Sequence, residues 1–193
     1  EIDVYGPPDV PVVVNLDQLS GASVIAGPGV NDRGNPSSII DMNHSPGDWV
    51  NSPTSDISDC SNNVYMTIDL GDYYMITGVT IWHYYGNDRA YCSQMIAVSA
   101  TGGFVGEEYV AYDTGTENGP PESVDGNVFT FPAVYGQFVR HWCSRSTSNS
   151  GIHMMEIDVY GDPTTPEVVN LDQLSGVSAI AGPGVDARGN PNS

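Results

Sequence analysis

The chain has 193 residues with no lysine, five arginines and 24 acidic residues, a formal charge of -19. Such a surface repels nucleic acid and anionic lipid headgroups, whose phosphates need clustered cations, and it attracts divalent cations and basic partners. There is no run of about 18 apolar residues and no basic-then-apolar leader pattern at the start, so no membrane-spanning helix is expected.

The first element is one half of a repeat. EIDVYG at 1–6 returns at 156–161, and the segment 13–38 returns at 168–193, with 29 of 38 aligned positions identical at a constant offset of 155 residues. That period is the size of a domain rather than of a solenoid unit, so the chain reads as a window on a tandem array. Residues 1–6 are expected to be the closing strand of a preceding repeat and 7–14 a proline-rich linker. Residues 15–161 would then form one domain, and 162–193 the linker and opening segment of the next. Short runs of alternating or β-branched residues predict strands at 12–16, 64–70, 76–84, 94–100, 108–113, 127–131, 136–143 and 152–160. Between them GPGVNDRGNP, GDYY, GND, TGG, NGPP and VDGN supply turn chemistry. Val64, Met66, Ile68 and Leu70 share one strand face. Helical periodicity is absent, and the class is all-β, an antiparallel sandwich or jelly roll.

Cys60, Cys92 and Cys143 form no Cys-x-x-Cys pair. This spacing fits an extracellular disulfide with one thiol left over, the pairing being open among three. Catalysis has little support, and the expectation is a non-enzyme. His44, His83, His141 and His153 lie in no nucleophile-elbow, His-Glu-x-x-His or phosphate-loop context, and Glu107 and Glu108 point to opposite faces of a strand. His141 and Cys143 share a strand face and could meet His83 or Cys92 around a transition metal, although a core or disulfide role is the expectation for them. Asn43-His44-Ser45 is the N-glycosylation sequon, since Pro36 excludes Asn35.

Several stretches occur in the order of a known family: VVNL, SIIDMN followed by Trp49, VYMTIDLGDYYMITGVTIWHYYGNDRAY, and FVRHWCSRSTSNSGIHMMEIDVYG. Over 13–161 the chain resembles the discoidin-like domain, the C-type domain of coagulation factors five and eight, in the galactose-binding-like superfamily. The resemblance implies an eight-stranded antiparallel jelly-roll β-sandwich, repeated here in tandem, with its first and last strands side by side. It also implies a structural Ca2+ held by Asp41, Asn43, Ser45 and Glu156, with Glu1 as the repeat equivalent of Glu156. A hard cation accepts such oxygens, although Met42 replaces the family's glycine and a glycosylated Asn43 would compete with coordination. The alternative role for this Asp and Asn is to cap turn amides. The aligned positions place Cys92 and Cys143 near one end of the barrel, making that pair the expected disulfide. Glycans stack on rings and pair with fixed polar groups, which nominates Trp49, Tyr85, Asp88, Arg89, Tyr91 and Arg145. The alternative for this set is packing and ion pairing.

The expected function is a structural subunit of an extracellular filament, appendage or surface coat, with neighbouring copies of the repeat as partners. A multivalent carbohydrate-binding adhesin is the alternative, and an accessory module of a secreted glycosidase a more remote one.

Overall fold

The structure, a computed structural model, describes residues 12–30, 35–45, 47 and 53–164. Glu1, Trp49 and the second copy of the opening segment lie outside the described residues. The strands are β1 (Val14–Asn15), β2 (Ser23–Ala26), β3 (Thr54–Asp56), β4 (Val64–His83), β5 (Met95–Ser99), β6 (Tyr109–Asp113), β7 (Asn127–Cys143) and β8 (Gly151–Asp162), with a 3-10 helix at Pro36–Ile40. They pair in the order β1-β8-β4-β7-β5-β6, with β2 added on β4 and β3 on β8. Every pairing is antiparallel. The architecture is the expected all-β jelly roll. Among the described residues no helix is long and apolar enough to cross a membrane.

The alternating face of β4 is the heart of the core, with Val64, Met66, Ile68 and Leu70 buried against Ile96, Val98, Val139 and Ile157. β1 lies on β8 with Val14 opposite Gly161, so the opening and closing strands are neighbours. Gly161 has to be small, because a β-carbon there would lie 2.4 Å from the Met75 carbonyl oxygen and 2.8 Å from Leu16 Cδ1. The glycine that ends EIDVYG is thus set by close packing of three strands.

Segments 64–70 and 76–84, and 127–131 and 136–143, expected as separate strands, are joined in β4 and β7, and each ladder runs through. GDYY is a corner inside β4: the register passes from Asp69 opposite Phe138 to Tyr74 opposite Gly136. Gly71 takes φ 79°, and Asp69 Oδ1 accepts from Gly71 N at 2.9 Å and from Gln137 Nε2 at 2.8 Å, which holds the corner closed. A second irregularity places residues 131–133 of β7 opposite Thr77, and it contains Pro132, which has no N–H to give to a ladder. Two further strands, β2 and β3, and the 3-10 helix lie where no regular element was expected. The helix begins where Asn35 Oδ1 accepts from Ser37 N at 3.2 Å and Pro36 fixes the first turn.

The disulfide expectation is corrected. Cys60 pairs with Cys92, with their Cα atoms 5.7 Å apart, and Cys143 is a fully buried free thiol. The reason is strand geometry. Cys143 closes β7 on the same face as Val139 and His141, so its side chain points into the core. Cys92 lies beside it in backbone only, where Ser144 N donates to Cys92 O at 2.8 Å, and its side chain turns to the loop that precedes β4.

Closing a 32-residue separation stabilises the fold by about 3 to 4 kcal/mol in the chain-entropy account. Cys92→Ser should therefore lower the unfolding free energy in denaturant by about 3 kcal/mol. A non-reducing peptide map should recover Cys60 joined to Cys92, and a map joining Cys143 to either would contradict this pairing.

Candidate functional site

His83 is the last residue of β4, and Cys143 is paired with Val64, the first. Yet ligand atoms of His83 and Cys143 lie within 4.8 Å of each other. The corner at GDYY therefore folds β4 back across the barrel and brings both its ends, with the loops beyond them, to one end of the molecule.

Those loops are tied together. The Cys60–Cys92 disulfide joins the loop before β4 to the one after it, and single bridges link Tyr91 to Ser146 and Cys92 to Asn118. Ser144 Oγ donates to Asp59 O at 2.7 Å, Arg145 Nη1 to Ser58 O at 3.1 Å, and Ser93 Oγ to Cys60 O. The result is an open pocket of about 380 Å³ lined by Ser58, Asp59, Asn118, Arg145, Ser146 and Thr147 over the disulfide. Arg145 Nε donates to Ser146 O at 3.3 Å, and its remaining donors are left for the pocket. Asp59 is exposed, and bonds from Ser61 hold its carboxyl below the ordinary carboxylate value. The lining carries polar side chains on a surface that is partly apolar and open to solvent, a mixture that suits the hydroxyls and C–H faces of a sugar.

Of the described residues nominated for ligand binding, Arg145 lines this pocket and Tyr85, Asp88, Arg89 and Tyr91 are used differently, while Trp49 lies outside the described residues. Tyr91 is fully buried and its hydroxyl donates to Tyr84 O at 3.0 Å. Arg89 is buried too, donating from Nε to Gly86 O at 2.7 Å with its guanidinium 4.7 Å from the centre of the Tyr84 ring. Its partner is thus a ring and a carbonyl rather than Asp88. Asp88 is exposed on a tight turn, where Asn87 and Asp88 take φ 67° and 47°. Tyr85 is half-buried, its ring 6.4 Å from that of Tyr84. Asn118, Ser146 and Thr147 were missed by the sequence reading, because nothing local marks them; the disulfide and the two bridges place them.

The nominated calcium residues form a second cluster. Met42 sits at φ 63°, so the tight turn of the 41–45 loop forms even without glycine. Asp41 Oδ1 accepts from Asn43 N at 2.9 Å and Asn43 Oδ1 from Ser45 N at 3.2 Å, so both side chains cap turn amides. Glu156 Oε1 reaches across to accept from Met42 N at 2.8 Å, while Oε2 is buried without a partner among the described residues. Among the described residues, the acids and histidine that converge within 4.8 Å here are His44, Glu156 and Asp158, and Asp41 is not one of them. His44 stacks on Trp82 with ring centres 4.1 Å apart. Asp17 closes the far side, accepting from Val159 N at 2.6 Å. Burial, with Asp158, Asp41 and Asp17 nearby, raises the Glu156 carboxyl to about 8. Burial above all, with Asp158 adding, raises that of Asp17 to about 6. The orphaned oxygens of Glu156 and Asp158 are hard donors and fit a cation such as Ca2+. Asp158 was legible in EIDVYG, two residues from Glu156 on the same strand face.

Inside the same end of the barrel lie His83, His141 and Cys143, all buried. His83 Nδ1 is 3.0 Å from Glu122 Oε1, and both side chains are fully buried. Burial, reinforced by His83, holds the His141 imidazole well below its usual value, and burial with Glu122 pushes the Cys143 thiol up.

No family model and no curated protein matches the chain. Solved structures do. A truncated AlyQ with family 32 carbohydrate-binding and alginate lyase domains is 18% identical, covers 79% of this chain and 34% of its own, and gives a TM-score of 0.57. A family 89 glycoside hydrolase from Clostridium perfringens is 21% identical over 81% of this chain and 16% of its own, at a TM-score of 0.58. The family 32 carbohydrate-binding module of C. perfringens NanJ, in complex with galactose, is 13% identical over 77% of this chain and 99% of its own, at 0.57. The chain thus spans about a third of the first of these proteins and about a sixth of the second, and nearly the whole of the isolated module. At these identities the likeness is one of fold, and the described chain has the discoidin-like, galactose-binding-domain fold of the family 32 modules.

Proposed function

We propose that this domain is a secreted carbohydrate-binding module that holds a neutral glycan at the pocket around Arg145, and that it does no chemistry on its ligand. One observation carries the reading: the cross-linked loop end presents an open pocket with several polar side chains on a fold shared with a module solved with galactose bound. Arg145, Asn118, Ser146 and Thr147 offer donors and acceptors suited to sugar hydroxyls. The charge of -19 argues against uronic or sialic acids, which the field of the whole chain repels. The disulfide supports an extracellular setting. Repetition at 155 residues supports multivalency, in which weak single sites gain avidity.

The same repeat favours a second reading, the filament or surface coat, since closely similar units joined by linkers of equal length place each neighbour by nearly the same operation. The opening strand lies on the closing strand at the barrel's edge, which suits head-to-tail stringing. The two readings are compatible, and only glycan binding by one repeat separates them. We include in the proposal a structural Ca2+ held by Glu156 and Asp158 with the 41–45 loop. It would pin that loop to β8. Occupation by calcium and glycosylation of Asn43 exclude one another if Asn43 ligates the ion.

A carboxyl whose pKa is raised by folding binds its proton more tightly in the folded chain, so it favours folding at low pH. That contribution is lost as pH rises from 4.5 towards about 8 for Glu156 and from 3.8 towards about 6 for Asp17. Chelator-treated protein should therefore melt at a lower temperature at pH 8 than at pH 5. Added Ca2+ should restore most of the loss at pH 8 and do little at pH 5, and a melting temperature indifferent to both pH and Ca2+ would contradict the cluster.

For the glycan, the excised repeat should bind neutral hexose-terminated glycans on an array. Arg145→Ala should weaken binding by about tenfold or more, the scale of one lost charged hydrogen bond, with the fold retained and only a small fall in melting temperature from the lost bonds to Ser58 O and Ser146 O. Absence of binding to any glycan, with the fold intact by circular dichroism, would leave the structural reading in its place.

A further inference from the structure

We propose that His83, His141 and Cys143 form an internal site for one zinc-like transition-metal ion, separate from the glycan pocket and from the acidic cluster. One ligand atom from each lies within 4.8 Å of the others, and all three residues are at most 1% exposed. β7 presents His141 and Cys143 from one face, two residues apart, and the folded-back end of β4 presents His83.

The hydrogen bonding at this point is incomplete in a way that packing alone does not explain. A neutral imidazole always carries one N–H and one lone pair, yet neither ring nitrogen of His141 has a partner among the described residues, nor does Nε2 of His83. Buried polar atoms left unpaired are costly, and here they belong to two histidines that each bring a ligand atom within 4.8 Å of a buried thiol. The other nitrogen of His83 is already committed, with Nδ1 3.0 Å from Glu122 Oε1, while Asn127 Nδ2 donates to Glu122 Oε2 at 3.0 Å. A carboxylate behind a ligating imidazole fixes its tautomer and aims the free nitrogen. The Tyr91 ring, 4.4 Å from the His83 ring, holds its plane.

Charge and donor type point to the same class of ion. The Cys143 thiolate and the Glu122 carboxylate would together offset the two charges of a divalent cation. The Cys143 thiol proton leaves to solvent as the S–metal bond forms. Two nitrogens and one sulfur select zinc-like ions over Ca2+, which takes oxygen. Bond lengths of about 2.0 to 2.3 Å put ligand atoms about 3.4 to 3.6 Å apart around a tetrahedral ion. Small side-chain rotations bridge that difference. The ion would tie the two layers together at the loop end, with a water completing the four-coordination that the three side chains leave open.

The test uses the whole chain under non-reducing conditions. The Cys60–Cys92 disulfide then stays closed, and Cys143 is the one thiol of the three cysteines in the sequence. Chelator-stripped protein is titrated with Co2+, both after folding and during refolding. The expected result is uptake of one equivalent with a near-ultraviolet thiolate-to-cobalt charge-transfer absorption, bleached by Zn2+ and absent from Cys143→Ser and His141→Gln. Carboxylates cannot produce that absorption, so cobalt uptake without it by either route overturns the proposal. The same absorption persisting in Cys143→Ser also overturns it. If His141→Gln does not fold, the spectrum of the unaltered chain still decides.

Discussion

The structure depends on one bend. β4 and β7 turn together at Gly71 and Gly136, and because the two strands stay paired on both sides, neither can straighten without the other. That shared corner converts one long ladder into two facing layers and returns the ends of β4 to the same place. The core face of Val64, Met66, Ile68 and Leu70 then lies opposite Ile81 and Ile157, and burial of these side chains closes the barrel. Gly136 is needed there for the same reason as Gly161, since a β-carbon would lie 2.4 Å from Val98 Cγ1. Every loop of the candidate pocket adjoins an end of β4 or β7, which this corner positions.

A smaller irregularity decides what faces the acidic cluster. In β8 the register passes from His83 opposite Met154 to Trp82 opposite Glu156, so Met155 is an extra residue. One inserted residue exchanges the two faces of a strand. Before it, Ile152 and Met154 join the core; after it, Ile157 and Val159 do. Glu156 and Asp158 are thereby turned away from the core and toward the 41–45 loop. Without the bulge those two carboxyls would share a face with Ile152 and Met154, with no amide of Met42 to receive them.

Much of this was legible because strands advertise themselves by alternation. Val64 to Leu70 and the repeated EIDVYG are visible at once, and so is the pairing of first and last strands once the family order is seen. The Met154-Met155 doublet in GIHMMEIDVY carries the bulge, as a break in an otherwise strict alternation. Other features hide in distance. Glu122 sits in a turn-rich stretch 39 residues from His83, and no local pattern joins them. Cys60 could be matched with Cys92 only by knowing where the loops meet. Arg89 and Tyr91 looked like surface ligands because GND and charge suggest exposure, but the ring of Tyr84 and the carbonyls nearby draw both inward.

The central claim is that the loop end held by the β4–β7 corner is the ligand-binding end. The most direct measurement is a titration of the isotope-labelled domain with a galactose-terminated oligosaccharide, read as amide shift changes. The account predicts fast-exchange shifts confined to Asp59, Asn118 and 145–147, with the sheet faces and the β1–β8 edge unmoved. Shifts centred on the exposed face around Val128 and Tyr160, with the loop end silent, would contradict it.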